Sequence, residues 1–340
     1  MGDLTDLVWG GSGKVPLIIG AVLLYAAARA SVDALGGVGA SMGKRALGNF
    51  IPIAAAAILA ACMRRGELAL AIIFSTSVAA MSLILGSIVI AAPNVEVPTS
   101  LRRLWPFVLP AALLTLLAGL SGRLTWIHAI ILLVEGAALL FAWSELSRLD
   151  AESAPPPSPI GSHLALRYLN LVLCLCVSAL GAAAAILGAL QISHTLPAMT
   201  ASTTLVAVLG PLLVAPMLVA GAAMPPQQRS WITTTTAVGV ALLNLCLLLP
   251  VIILLWYLIN ARHFDLGVKL DMWKEPLATT APLVFTLVTW RVDNVVLVLL
   301  AFMLIPAALG RWRMGRAEGV MLIGLYAVYI LMEAAAGARY

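Results

Sequence analysis

Long apolar stretches, each closed by one or two charged residues or by Gly and Pro, run along almost the whole chain. Ten segments, near 15–35, 46–63, 68–92, 104–120, 126–147, 168–192, 200–224, 231–259, 293–309 and 318–337, are predicted as membrane-crossing helices. A helix needs about 20 apolar residues to cross a hydrocarbon core. Between the fifth and sixth spans the chain reads Ala-Pro-Pro-Pro-Ser-Pro-Ile-Gly from Ala154 to Gly161, which cannot continue a helix. That stretch divides the spans five and five. The organisation read from this pattern is an N-terminal tail (1–14), a first five-helix repeat (15–147), a Pro-rich linker (148–166) and a second five-helix repeat (167–337) with an insertion near 260–292. In the insertion, Arg262, His263, Asp265, Lys269, Asp271, Lys274 and Glu275 precede a short apolar run, Ala281 to Trp290, too brief to cross. The insertion is expected outside the membrane or at its interface, with a short eleventh crossing as the alternative.

Composition supports this reading. Of 340 residues, 62% are hydrophobic and 10% charged, a ratio from which no water-soluble surface of this size is built. The class is an all-α polytopic membrane protein, its partner the lipid bilayer and its expected place the cell membrane. A net charge of +5 is scattered singly through loops, without a basic stripe for a phosphate backbone, so nucleic acid is excluded as a partner. Lys and Arg divide too evenly between the two sides to orient the chain. The N-terminus lacks the basic segment and cleavage site of a signal peptide, so the first helix is expected to stay. Cys62, Cys174, Cys176 and Cys246 lie inside apolar runs and read as core or lipid-facing residues. His-Glu-x-x-His does not occur, and an enzyme is not expected.

Two spans carry helix breakers in matching places. The second contains Gly48-Asn49-Phe50-Ile51-Pro52, and the seventh Gly210-Pro211 followed by Pro216. Both are second in their half, the pointer to a transporter of repeated halves in which unwound turns line a cavity. The spans that follow are the polar ones, with Ser75, Thr76, Ser77 and Ser82 in the third and Thr233 to Thr236 with Asn244 in the eighth. Glu135 lies mid-span in the fifth, where a carboxyl group is a functional candidate by default. Arg29 and Asp33 are spaced to pair on the first helix. Glu145, Asp293, Glu318 and Glu333 fall near span ends, where solvation is expected.

These residues resemble the sodium/calcium exchanger family of the cation/calcium antiporter superfamily. Gly48-Asn49-Phe50-Ile51-Pro52-Ile53 is similar to the family's Gly-Thr-Ser-x-Pro-Glu break, Arg64-Arg65-Gly66-Glu67 to the turn after it, and Arg313-Met314-Gly315-Arg316-Ala317-Glu318-Gly319 to its closing turn. Gly210 stands 162 residues after Gly48, and Arg313 stands 190 after Arg123; the 28-residue difference matches the insertion. The resemblance implies two inverted five-helix repeats with both breaks at mid-membrane. It also implies a glutamate after the proline of each break, yet Ile53 and Ala215 stand there. A divalent cation wants several oxygens with carboxylates among them, so calcium is not expected.

What remains for an ion pathway is Asn49, Pro52, Ser75, Thr76, Ser77, Gly210, Thr233 and Thr234, with Glu135 as a rival proton carrier. Neutral oxygens of this kind suit a weakly bound monovalent cation, sodium foremost, and no metal centre or other cofactor. The expected function is therefore antiporter-like secondary transport with a degenerate cation site; the alternative is a transport-inactive scaffold that binds a partner.

Overall fold

The structure, a computed structural model, describes residues 13–35, 42–92, 99–153, 164–195, 201–222, 226–260, 282–309 and 314–337. Among these residues ten helices follow one another: α1 Lys14–Ala34, α2 Met42–Cys62, α3 Gly66–Ala91, α4 Thr99–Ala118, α5 Trp126–Ser153, α6 Leu164–Thr195, α7 Ala201–Ala222, α8, α9 Leu287–Ala308 and α10 Arg316–Gly337. Helix α8 runs as Pro226–Leu243, a π turn at Asn244–Leu248, and Leu249–Asn260; α3 contains a matching π turn at Ala80–Ile84. Nine of the helices are long and apolar enough to span a membrane, and in α4 the apolar part is Leu104–Ala118. The chain is an all-α, multi-pass integral membrane protein.

The helices extend beyond the predicted spans at several ends. α5 and α6 run into the stretch read as linker, whose residues 154–163 lie outside those described, as do tail residues 1–12 and residues 261–281 of the insertion. The short apolar run before α9 is not an eleventh crossing; it divides between a two-residue strand and the start of α9. Leu283–Val284 forms β2, antiparallel to β1 (Arg123–Leu124) in the α4–α5 turn, with Arg123 opposite Val284 and Leu124 opposite Leu283. α9 then starts at Leu287, about a turn and a half before the predicted 293.

Helix contacts pair off under a shift of five helices. α1 packs on α6, and α4 on α9; α3 packs on α7 as α8 does on α2, and α10 packs on α3 as α5 does on α8. A two-fold relation between halves produces this pairing, and an odd number of crossings per half inverts the second copy. α3 and α8 are the most enclosed helices. The outer faces of α5, α6 and α10 present Val134, Phe141, Leu180 and Leu331, the apolar exposure expected of a lipid-facing surface.

Lipid offers no hydrophobic gain for joining two apolar helices, so close backbone packing must hold them. The α1–α6 contact shows this: a methyl group on Gly20 would stand 2.5 Å from the Gly181 carbonyl oxygen, and one on Gly188 would stand 2.5 Å from the Leu17 nitrogen.

The predicted breaks are absent. α2 is continuous through Pro52 and α7 through Pro211 and Pro216. A proline in a helix lacks the N–H that the carbonyl four residues earlier would receive. For Pro52 that carbonyl is Gly48, and the Ser31 hydroxyl on α1 donates to it at 2.6 Å. Gly48 itself permits the approach, since a Cβ there would lie 2.9 Å from Val32 Cα. The Gly-Pro pattern thus marks a tight α1–α2 crossing with an external donor, not an unwound turn.

Gly20→Leu or Gly188→Leu must push α1 from α6, a steric cost of at least about 1–3 kcal/mol. The expected outcome is a lower melting temperature of the purified protein by tryptophan fluorescence. Gly324→Leu, at a position with nothing within 4 Å of an added Cβ, should leave it unchanged.

Candidate functional site

Polar groups converge where α3 and α8 cross. Ser75, Thr76 and Ser77 are fully buried, and each hydroxyl donates backward within α3: Ser75 to Ile72 O at 3.3 Å, Thr76 to Ile72 O at 2.7 Å, and Ser77 to Ile73 O at 2.7 Å. A helix in lipid gives a hydroxyl this acceptor at no cost in conformation. Their oxygen lone pairs remain free to accept. Asn244, fully buried at the start of the α8 π turn, donates from Nδ2 to Thr76 Oγ1 at 3.0 Å and to Ser77 Oγ at 3.2 Å. Asn244 Oδ1 has no hydrogen-bond partner.

The π turn has a local cause. Pro250 cannot donate to Cys246 O and would clash with it in a regular helix, and a widened turn relieves this clash. Gly136 on α5 lies directly against that Cys246 carbonyl, where a side chain would not fit. Its neighbour Glu135 is half-buried beside α8, with both carboxyl oxygens enclosed and unpartnered.

The other predicted residues are dispersed. Gly210 on α7 faces Ser75, with 3.1 Å between an added Cβ and Ser75 Cβ, and the Tyr326 hydroxyl of α10 lies at 3.0 Å from the same point. Tyr326 donates to Val206 O at 3.2 Å, one residue before the Ala207 carbonyl that Pro211 leaves unbonded. Asn49 is buried, donates to Arg45 O at 2.9 Å within α2, and leaves Oδ1 unpartnered. Thr233 and Thr234 are buried on α8, and the Thr234 hydroxyl is unpartnered. Pro52 sits inside α2 as described. At the positions of the implied glutamates, Ile53 is fully buried and Ala215 half-buried. Three unpartnered, buried, neutral oxygens therefore stand on α2 and α8: Asn49 Oδ1, Thr234 Oγ1 and Asn244 Oδ1.

Two acidic residues contradict the expectation of solvation. Asp293 is 6% exposed and Glu333 2% exposed, and the Tyr329 hydroxyl donates to Asp293 Oδ1 at 2.6 Å. Because α9 begins at Leu287, Asp293 lies in its second turn instead of at its mouth. Asp293 also forms part of the wall of a cavity of about 590 Å³, bounded by Arg64, Glu67, Trp256, Thr289 and Trp290 among others, whose walls do not include Asn49 or Thr234. Elsewhere, Arg29 and Asp33 pair as expected at 3.6 Å, and Glu318 accepts from Gly315 N at 2.8 Å, closing the first turn of α10.

No known family model matches the chain, and no curated protein matches it in sequence. Solved structures do. The sodium-calcium exchanger NCX_Mj soaked with 100 mM Na+ and 10 mM Sr2+ is similar at a TM-score of 0.60 and 18% identity, over 94% of this chain and 97% of that one. NCX_Mj soaked with 2.5 mM Na+ and 0.1 mM Ca2+ gives 0.59 and 17% over the same shares. Native YfkE gives 0.68 and 14%, over 97% of this chain and 94% of that one. The chain has the sodium-calcium exchanger fold.

Asn244 ties α8 to α3 through two side-chain hydrogen bonds, so Asn244→Ala should lower stability by about 0.6–1.7 kcal/mol, the range of intramembrane hydrogen bonds. In a double-mutant cycle of melting temperatures, adding Thr76→Val and Ser77→Ala to Asn244→Ala should cost less than the same pair costs in the unaltered protein.

Proposed function

We propose that the protein is an antiporter-like secondary transporter of the cell membrane, with a cation site of neutral oxygens that takes sodium weakly and does not take calcium. The observation that carries this reading is the set of unpartnered buried oxygens, Asn49 Oδ1, Thr234 Oγ1 and Asn244 Oδ1, of which the last lies beside the Thr76 and Ser77 hydroxyls. A buried oxygen without a donor forfeits about 1–3 kcal/mol, and a cation with a single charge restores that interaction without needing a carboxylate. The fold supports it too, since NCX_Mj exchanges ions through a binding site that becomes occluded. Calcium is disfavoured because Ile53 and Ala215 leave the interior without the negative charge that a divalent ion needs. Glu135 is the rival coupling group on this reading, carrying a proton beside the α8 π turn.

A second reading, the transport-inactive scaffold, draws on a different fact: Ile53 is sealed in the core, and all three α3 hydroxyl protons are already spent on their own helix.

Sodium should raise the melting temperature of detergent-purified protein relative to choline at equal ionic strength, and the Asn49→Ala, Asn244→Ala double variant should abolish the difference. Identical curves in sodium and choline favour the scaffold. In liposomes, neither a sodium nor a proton gradient should drive calcium uptake; robust calcium flux would show that the ligands lie elsewhere.

A further inference from the structure

We propose that Asp293, Tyr329 and Glu333 form a proton-binding site that exchanges with water through the cavity beside α9, separate from the Asn244 cluster. The inference holds whether or not sodium binds at that cluster.

Three observations carry it. First, both carboxyl groups lie inside the helix bundle, and neither is paired with Lys or Arg among the described residues. Two adjacent uncompensated carboxylates in a low-dielectric interior are prohibitively costly, so the pair must hold a positive charge. Secondly, the hydrogen bond from Tyr329 occupies Asp293 Oδ1, while Glu333, one turn further along the same face of α10, keeps Oε1 buried and unpartnered. Thirdly, the cavity reaches one member of the pair: Asp293 lines it, and so does Ala336, a turn beyond Glu333.

A proton suits these groups better than a metal ion. Sodium and calcium want six or so oxygens, whereas the site offers two carboxyl groups and one phenol, and no group of three acidic or other metal-ligating side chains occurs among the described residues. A proton needs only one acceptor oxygen. It is taken up from a hydronium ion in the cavity, leaving water, and is returned the same way; no other bond changes.

The surroundings are otherwise neutral. On the helices packed against α9 and α10, α7 has no titratable residue, and α3 has only Glu67, which lines the cavity with Arg64 and Arg65. Arg102 and Arg103 of α4, and Arg316 and Glu318 of α10, sit at helix ends about 20 Å or more away along the axis. Arg291 is exposed, and Tyr326 is bonded to Val206 O. Trp290 shields the site, its ring 4.9 Å from Phe74 and 4.4 Å from Phe285.

The test is infrared difference spectroscopy between acid and alkaline buffer on the full chain in liposomes, in a Glu135→Gln background that removes the α5 carboxyl. The expected result is a protonated-carboxyl band that disappears on raising the pH, shifts on transfer to deuterated water, and is lost in the Asp293→Asn, Glu333→Gln double variant. Tyr329→Phe should move its frequency, and Thr289→Trp, which narrows the cavity, should slow the deuterium shift. A melting curve for each variant confirms that it is folded. The proposal is overturned if the double variant keeps the band, if deuterium never reaches it, or if saturating sodium or calcium erases it at fixed pH. Since none of these readouts reports sodium at Asn244, the transporter reading can fail while this one stands.

Discussion

A backbone carbonyl released inside this bundle costs least where it finds a donor or a new geometry, because hydrocarbon supplies neither. Two of the helix-interrupting prolines are answered in this way. Ser31 answers Pro52 across the α1–α2 contact, and the α8 π turn absorbs Pro250. The same requirement shapes the polar centre. Asn244 sits where α8 widens, its amide protons go to Thr76 and Ser77, and those hydroxyls in turn donate to their own helix. Chemistry and helix integrity are one network here.

The architecture was legible in the sequence because hydropathy in a membrane protein encodes crossing number directly. All ten helices lie within about six residues of their predicted spans, the largest differences being the end of α5 and the start of α9. That helix starts early because Leu287 to Val292 are apolar enough to enter the bundle despite Arg291, whose side chain stays exposed. What hydropathy does not encode is helix irregularity. Gly48 and Gly210 were legible as special, but a glycine that permits close packing and a glycine that permits unwinding are the same letter. The π turns had one visible cue, the proline after Asn244, and at Ala80–Ile84 the sequence offers none.

Of the polar residues, Thr76 and Ser77 are brought together with Asn244, while Asn49 and Glu135 engage other surroundings. Asp293 and Glu333 were hidden by position. A carboxylate near the end of an apolar run reads as solvated, and only the true start of α9 and its packing on α10 show that these two face inward. Their signal in the sequence is helical spacing: Tyr326, Tyr329 and Glu333 fall on one face of α10.

The β1–β2 bridge has a consequence for how this chain tolerates variation in length. The two residues of β2 are held in register on the α4–α5 turn immediately before α9 begins, and Phe285 N adds a bond to Gly122 O at 3.4 Å. The register of α9, and with it the depth of Asp293, is thus set by an anchor downstream of the insertion. The bridge therefore fixes where α9 enters the bundle independently of how many residues precede it, so the depth of Asp293 follows from two paired residues and not from the length of chain before them.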